Sequence, residues 1–326
     1  MPRRIPVLLA LVLIAAGCGG ESGSAPSQAF VFTVNDQGWN EIWLMDERGQ
    51  ARKQLTASRQ IDSQAAGNTS PAWSPDGTRI AYTGTGDSNI ADPGFEEIYV
   101  MDGDGGRVER LTDNDVPDLS PAWSPDGEHI VFSRANKLSA EIPRAALYVM
   151  DADGSNQHEL YREKASAGAV LLFTPAWSPD GSQIAFTRVS YAGDAAKTSV
   201  YVMNSDGTGA REVASDGAEP AWSPDGKRIA FASARDRNGQ TCFADCSPSG
   251  EIYVAEADGA NARRLTNEKA EDSSPSWSPD GTQIAFVSDL SNRSDHENEI
   301  YVVDAKGGTA QRVTKNSVWA LEPDWK

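Results

Sequence analysis

The stretch Pro-Ala-Trp-Ser-Pro-Asp-Gly at residues 71–77 decides the fold, because the chain repeats it. The phrase Trp-Ser-Pro-Asp-Gly begins at Trp73, Trp123, Trp177, Trp222 and Trp277, and a truncated copy ends the sequence at 323–325. Successive tryptophans are 45 to 55 residues apart. Repeats of this length are typical of propellers and solenoids.

Each repeat contains four short runs rich in β-branched and aromatic residues, separated by Gly, Pro, Asp and Ser. In one unit the runs are residues 70–73, 79–82, 97–102 and 109–112. This pattern indicates strands joined by turns. In Ser-Pro-Asp-Gly the proline presets its φ and the glycine accepts a positive φ, so the phrase predicts a type I turn closed by a glycine bulge. Each repeat is therefore predicted to form a blade of four antiparallel strands, a to d.

The two ends of the chain predict how the ring closes. Residues 29–34, 41–46 and 53–56 supply strands b, c and d, and 322–326 supply a lone strand a. We predict an all-β, six-bladed β-propeller over residues 29–326, in which the C-terminal strand joins the first blade and removes the exposed edges. The repeated tryptophans are predicted to pack between neighbouring blades; the alternative is that they stack on a ligand.

The N-terminus has the pattern of an export signal. Arg3 and Arg4 precede an apolar run over 5–16, and small residues lead into Cys18, which predicts a signal peptide over 1–17. Ala-Ala-Gly-Cys at 15–18 resembles the bacterial lipobox, so Cys18 is predicted to carry lipid; the alternative is an ordinary cleaved signal. Residues 18–28 are predicted to be a flexible tether. We expect an exported lipoprotein at the cell envelope, bound to the membrane through its anchor only.

The cysteines, the histidines and the net charge limit the classes of function that this chain can have. Cys242 and Cys246 lie in one loop and are predicted to form a disulfide rather than a metal site. The three histidines are predicted to lie on different blades. His158-Glu159 begins like a zinc-hydrolase motif, but Arg162 replaces its second histidine, so that class is disfavoured. The net charge of −18 argues against nucleic acid as a partner.

Loop lengths separate the two faces of the ring. The a–b and c–d turns are short, and we call their side the short-turn face. The b–c and d–a connections form the long-loop face, which is predicted to be functional because binding residues concentrate on loops of a rigid scaffold. Its long segments are 57–69, 84–96, 113–119, 134–146, 161–173, 188–199, 233–250 and 288–298.

Two candidate sites lie on the long-loop face. Trp39 and Trp319 are predicted to be neighbours and to form an aromatic binding platform; the alternative is that they cap the closure seam. The second candidate is a ring at the channel mouth, made by the residues that precede the strand-a prolines: Ser70, Ser120, Thr174, Glu219, Ser274 and Glu322. Glu219 and Glu322 are predicted ligand-binding residues. Asp118, Asp216 and Asp272 are predicted nearby, where oxygen ligands would suit calcium.

The repeated Pro-Ala-Trp-Ser-Pro-Asp-Gly, followed by Ile-Ala-Phe and Ile-Tyr-Val-Met-Asp, resembles the propeller repeats of the TolB family, over residues 29–326. TolB is a periplasmic protein whose propeller binds a peptidoglycan-associated lipoprotein. The resemblance implies a six-bladed propeller that binds a protein or an envelope ligand. TolB has an α/β domain before its propeller and no lipid anchor, so we expect a TolB-like propeller lipoprotein without assigning it to the Tol machinery.

Three functions follow from these patterns. The first is a non-catalytic, monomeric binding module for an envelope protein or a cell-wall glycan. The second is a propeller hydrolase or lyase acting on a glycan or another small substrate through a carboxylate and calcium site at the channel mouth. The third is a scaffold. No Gly-x-Ser-x-Gly elbow is present, and no catalytic residue is nominated.

Overall fold

The chain folds into a ring of six four-stranded antiparallel sheets. The computed structural model describes residues 29–36, 39–57, 67–85, 96–136, 144–163, 168–192, 195–236, 250–267, 270–290, 298–315 and 319–326. Every regular element within these ranges is a β-strand. No helical segment there has the length and hydropathy of a membrane span.

Blades 1 to 3 follow the predicted order of strands from the channel outward. Blade 1 consists of β24 (Trp319–Trp325), β1 (Ala29–Asp36), β2 (Trp39–Asp46) and β3 (Lys53–Gln54). Blade 2 consists of β4 (Asn68–Trp73), β5 (Arg79–Gly84), β6 (Glu97–Asp102) and β7 (Glu109–Arg110). Blade 3 consists of β8 (Asp118–Trp123), β9 (His129–Ala135), β10 (Ala145–Asp151) and β11 (His158–Tyr161).

Blades 4 to 6 repeat the arrangement. Blade 4 consists of β12 (Val170–Trp177), β13 (Gln183–Ala192), β14 (Ala195–Asn204) and β15 (Arg211–Ser215). Blade 5 consists of β16 (Gly217–Trp222), β17 (Arg228–Ser233), β18 (Glu251–Glu256) and β19 (Arg263–Arg264). Blade 6 consists of β20 (Asp272–Trp277), β21 (Gln283–Ser288), β22 (Glu299–Asp304) and β23 (Gln311–Arg312).

The predicted closure of the ring is confirmed. β24 pairs with β1, with Phe30 opposite Trp325 and Asn35 opposite Trp319. The backbones of Ala29 and Lys326 exchange two hydrogen bonds, of 2.5 and 2.9 Å. Blade 1 therefore combines the last strand of the chain with the first three, and the edge of β1 that faces the channel is paired with β24.

The core lies between the blades. Six apolar clusters occur in the described residues, and each combines side chains of two adjacent blades. The cluster between blades 5 and 6 packs Ile252 and Val254 against Trp277 and Phe286. The indole nitrogens of Trp222 and Trp277 donate to backbone carbonyls of the preceding blade, at 3.2 and 3.1 Å. The tryptophans thus pack between neighbouring blades, as predicted.

A buried glutamate at the start of strand c binds the threonine that follows strand d in four of the blades, at Glu41, Glu97, Glu251 and Glu299, and in the last three an arginine of strand d joins it. In blade 2 the Glu97 carboxylate accepts hydrogen bonds from Thr112 Oγ1 at 2.5 Å and from the Arg110 guanidinium at 2.9 Å. Thr112 Oγ1 in turn accepts the Ile98 amide hydrogen at 2.9 Å. Burial raises the pKa of Glu97. The same arrangement recurs at Glu251, Arg264 and Thr266 and at Glu299, Arg312 and Thr314.

The Ser-Pro-Asp-Gly turns are closed by side chains as well as by the backbone. At residues 74–77, Gly77 has φ of 70° and its amide donates to the Ser74 carbonyl at 2.9 Å. Asp76 Oδ1 accepts from Ser74 Oγ at 2.6 Å and from the Thr78 amide at 3.0 Å. These bonds stabilise the charged form of the carboxylate, and they hold the pKa of Asp76 at about 2.

Because each turn stabilises an ionised aspartate, we expect Asp76→Asn to remove a stabilising interaction that depends on pH. The native pKa lies below the unfolded value, so the contribution is complete above pH 4 and is lost as the pH falls towards 2. Urea unfolding should show the variant less stable by about 0.5–1 kcal/mol at pH 7, with the difference shrinking at pH 3 and below. Asp225→Asn, in the equivalent turn of blade 5, is the matched comparison. A difference independent of pH for both variants would contradict this account.

Candidate functional site

A ring of six backbone irregularities surrounds the central channel. At each ring position the register between strands a and b shifts by a bulge. The residue before the strand-a proline adopts a positive φ, between 44° and 54°, in every blade. These residues are the predicted ring: Ser70, Ser120, Thr174, Glu219, Ser274 and Glu322. Left-handed backbone is uncommon for residues other than glycine, so a recurrent constraint holds these six.

In four of the blades the ring residue donates its amide hydrogen to a side chain of the preceding blade. A bulge withdraws the amide of its extra residue from the ladder, and the amide needs another acceptor. The Ser70 amide donates to Glu322 Oε2 at 2.7 Å, and the Ser274 amide donates to Glu219 Oε2 at the same distance. Elsewhere a threonine of strand b serves: the Ser120 amide donates to Thr83 Oγ1 at 3.0 Å.

The ring glutamates are therefore joined to neighbouring blades. Glu322 also accepts from Thr33 Oγ1 at 2.9 Å and from Ser70 Oγ at 3.0 Å, which places its carboxylate across the closure seam. Burial raises the pKa of Glu219, and the negative charge of Glu322 raises it further, while the Ser274 amide opposes both effects. Both carboxylates line the channel, as predicted. Their predicted contact with a ligand stays a prediction.

A third channel carboxylate, Asp324, was not predicted. It occupies the position held by Ala72, Ala122, Ala176, Ala221 and Ser276 in the other blades. Asp324 Oδ2 accepts the Trp73 amide hydrogen at 2.7 Å, and burial raises the pKa of Asp324 to about 6. Aligning the truncated final repeat with the others would have revealed it.

The channel is a cavity of about 510 Å³, and strand a of every blade lines it. Its wall runs from the ring residues, near the long-loop face, to the first residues of the short turns, such as Pro75 and Pro179. Among the described residues that line the channel, Lys326 is the one cation, and its Nζ donates to the Ser74 carbonyl at 2.9 Å. Three carboxylates in a partly enclosed space give the channel a negative potential that favours cationic groups.

The two predicted platform tryptophans lie at the same end of blade 1 but do not face each other. Trp319 is opposite Asn35 on one side of β1, and Trp39 is opposite Asp36 on the other side. Consecutive residues of a strand point to opposite faces of the sheet, so the two indoles lie on opposite faces with β1 between them. Trp319 is 43% exposed, and Trp39 is partly buried.

The three aspartates predicted near the ring do not form one group, because they lie in different parts of the propeller. Asp118 is buried in blade 3, where the Arg134 guanidinium donates two hydrogen bonds of 2.7 Å to it. Asp272 is buried in blade 6; its Oδ1 has no hydrogen-bond partner, and burial raises its pKa to about 6. Asp216 is exposed between blades 4 and 5. In the described ranges no group of three or more His, Cys, Asp or Glu is placed to hold a metal ion.

Cys18 and the pair Cys242 and Cys246 lie outside the described residues, as do the signal peptide and the whole tether. Lipidation and the disulfide stay predictions.

Sequence reasoning missed Tyr191. β13 and β14 are ten residues each, the longest strands described, and their hairpin extends blade 4 on the long-loop face. Tyr191 lies near its end and is 39% exposed. The signal was available, because Arg-Val-Ser-Tyr-Ala at 188–192 continues the strand pattern past the usual end of strand b.

Comparison with known proteins agrees with this architecture. The TolB beta propeller domain family, PD40, matches residues 19–144 and 135–326. Together these ranges include nearly the whole chain, so the chain belongs to this family.

Individual relatives are more distant. A TolB homolog of Chlorobium chlorochromatii is 31% identical over 142 residues, which are 44% of this chain and 28% of that protein. The Tol-Pal system protein TolB of Bordetella pertussis is 35% identical over 146 residues, which are 44% of this chain and 30% of that protein. The crystal structure of TolB from Acinetobacter baumannii superposes with a TM-score of 0.67 at 20% identity, covering 92% of this chain and 66% of that one. This likeness shows a shared fold.

The raised pKa of Asp324 leads to a prediction about stability. Its native pKa lies above the unfolded value, so the free energy of unfolding should fall as the pH rises from about 4 through 6. Asp324→Asn keeps an acceptor for the Trp73 amide and removes the buried charge. Urea unfolding should show the variant gaining about 2 kcal/mol relative to the wild type between pH 4 and pH 7.

Asp324→Ala, which reproduces the residue of most other blades, is the matched comparison. It should remove the same pH dependence but lower stability at all pH values, because it leaves the Trp73 amide without this acceptor. If the wild type and both variants depend equally on pH between 4 and 7, Asp324 is not the titrating group.

Proposed function

We propose that this chain is a non-catalytic binding module of the cell envelope. It is a TolB-like propeller that recognises a protein or another envelope ligand through its long-loop face, and lipid on Cys18 anchors it to a membrane. Membership of the TolB propeller family supports the binding role. The name of its Bordetella pertussis relative, Tol-Pal system protein TolB, supports a location in the cell envelope.

The observation that carries the proposal is the asymmetry between the two faces. Five short-turn-face hairpins are the same Ser-Pro-Asp-Gly turn, each with its serine hydroxyl on its aspartate. The strand ends on the long-loop face differ from blade to blade. Of the three large apolar side chains exposed in the described residues, Trp319 and Tyr191 lie on the long-loop face and Val108 on the short-turn face. Exposed aromatic side chains next to variable segments are typical of recognition surfaces.

The channel contributes a second element of the proposed site. Glu219 and Glu322 line it close to the long-loop face, so a ligand group that enters from this side meets carboxylates. An occupant with a positive charge would be favoured, and calcium is one candidate. Isothermal titration with calcium tests that part separately from the binding of a macromolecule.

The binding face can be tested by photo-crosslinking. A photoreactive amino acid placed at Trp319 or at Tyr191 should crosslink to an envelope component in cells, because these side chains are exposed on the long-loop face. The same group at Val108, which is 54% exposed on the opposite face, is the matched control. Mass spectrometry would identify the adducts. Equal yields of one product from all three positions would contradict recognition through the long-loop face.

Trp39 and Trp319, which lie on opposite faces of blade 1, can be tested with the adduct formed from position 191. Trp39→Ala and Trp319→Ala should each reduce its yield without lowering the melting temperature if these side chains contact the ligand. A lower melting temperature with an unchanged yield would favour the alternative, in which they seal the closure seam.

The anchor has its own test. In a bacterial host the wild-type chain should incorporate labelled fatty acid and fractionate with membranes, whereas Cys18→Ser should do neither. The physical reason is that acyl chains partition into bilayers by about 0.8 kcal/mol for each buried methylene, and stable anchoring takes more than one chain. Wild-type protein that carries no label and remains in the soluble fraction would contradict the lipid anchor. That result would not bear on the proposed binding face.

A further inference from the structure

Two seams of the propeller place a guanidinium on the tryptophan of the next blade. Arg79 of blade 2 lies 4.5 Å from the ring centroid of Trp123, and Arg228 of blade 5 lies 4.6 Å from that of Trp277. Both arginines are the first residue of strand b, opposite the last residue of strand c. These contacts are cation–π interactions, in which the planar guanidinium covers the indole face.

The seam between blades 3 and 4 lacks this arginine. His129 is the first residue of β9 and lies opposite Asp151, so it holds the position that Arg79 holds in blade 2. Its imidazole Nδ1 lies 3.2 Å from Asp151 Oδ1. The tryptophan that an arginine would cover here is Trp177, which is partly exposed, whereas Trp123 and Trp277 are 7% and 5% exposed.

A cavity of about 430 Å³ lies at this seam, on the short-turn face. Trp177 lines it together with His129, Asp126 and Asp151 from blade 3 and Asp206 from blade 4. His158 also lines it, so two of the three histidines share blade 3, and the prediction that the histidines lie on different blades is wrong for this pair. Lysine and arginine do not occur among the described residues that line this cavity.

The carboxylates of the cavity are held by the turns of the short-turn face. The Ser124 hydroxyl and the Glu128 amide hold the pKa of Asp126 below its usual range, and the Thr208 hydroxyl and amide do the same for Asp206. Asp151 accepts hydrogen bonds from Asn156 at 2.5 Å and from Ser155 at 3.3 Å. Three oriented carboxylates beside an indole form an acceptor set for a planar cation.

We propose that this cavity is a binding site for the guanidinium of an arginine side chain on a partner polypeptide. The external guanidinium takes the place that the chain fills itself at two other seams, against Trp177 in the cavity that Asp126, Asp151 and Asp206 also line. The net charge of −18 favours the approach of a basic partner. This site lies on the short-turn face, whereas the proposed function uses the long-loop face. The two proposals are therefore tested by separate experiments.

The full chain, labelled with ¹⁵N, can be titrated at pH 7.5 with N-acetyl-arginine amide. We expect saturable shifts of the Trp177 indole resonance, which Trp177→Phe assigns, with a dissociation constant of about 1 mM. N-acetyl-lysine amide should bind more weakly, and the uncharged citrulline analogue should not bind. Equal binding of the citrulline analogue, or no shift of the Trp177 resonance, would overturn the proposal.

Two substitutions at the same position sharpen the test. His129→Arg supplies the guanidinium from within the chain, so it should reduce binding of the probe by at least about tenfold and raise the melting temperature. His129→Gln, which copies Gln183 and Gln283 at other seams, should still bind. Gln283→Arg adds the same charge at the seam between blades 6 and 1 and is the matched control. Unchanged binding by His129→Arg, with binding by the control also unchanged, would overturn the proposal.

The partner polypeptide is tested with peptides. A peptide with one arginine between neutral residues should produce the same Trp177 shift as the amide, and its lysine counterpart should not. A shift with the free amide but none with the arginine peptide would limit the site to small guanidinium compounds and overturn the polypeptide assignment.

Discussion

The hydrogen bond between blades at the channel ring is the constraint on which the rest of the structure depends. A bulge in each strand a turns one residue into a left-handed conformation and withdraws its amide from the ladder. In four blades the preceding blade supplies the acceptor: Glu322 for Ser70, Thr83 for Ser120, Thr187 for Glu219 and Glu219 for Ser274. Because the acceptor comes from another blade, an isolated blade could not satisfy its own backbone. Closure by β24 supplies the acceptor that blade 2 requires.

The apolar core follows the same logic, because every cluster spans a seam. A few residues differ from those that the other blades have at the same position, and these differences alter contacts within or between blades. In blades 3 and 4, Ala146 and Ser199 replace the buried strand-c glutamate, and the Ser199 hydroxyl is left without a hydrogen-bond partner. His129 stands where blades 2 and 5 have the arginine that covers the next tryptophan, and Asp324 stands where most blades have an alanine in the channel wall. Residues that the repeat does not require for folding are the ones available for function.

The blade number, the closure and the ring were predictable from the sequence, because turn residues and β-branched runs recur in phase and each local signal agrees with the global fold. The faces of the sheet on which Trp39 and Trp319 lie were not predictable from the sequence. They depend on strand register, and a shift of one residue moves a side chain to the opposite face. Asp118 illustrates a second limit. Its pairing with Arg134 depends on which strand-b residue faces it, and a carboxylate read from sequence alone looked like a cation ligand. The exposure of a side chain is a third limit: the sequence at 188–192 indicates a longer strand, but only the packed structure shows that Tyr191 is exposed.

The acidic composition divides into two populations with opposite electrostatics. Aspartates of the short turns accept hydrogen bonds from hydroxyls and amides while remaining solvated, so their pKa values are lowered. Channel carboxylates such as Glu219 and Asp324 are removed from water, so their pKa values are raised. As the pH falls from 7 towards 4, the channel carboxylates take up protons before the aspartates of the short turns do. The attraction of the channel for cations therefore weakens under mildly acidic conditions. The channel and the short turns consequently respond differently to the same change in pH.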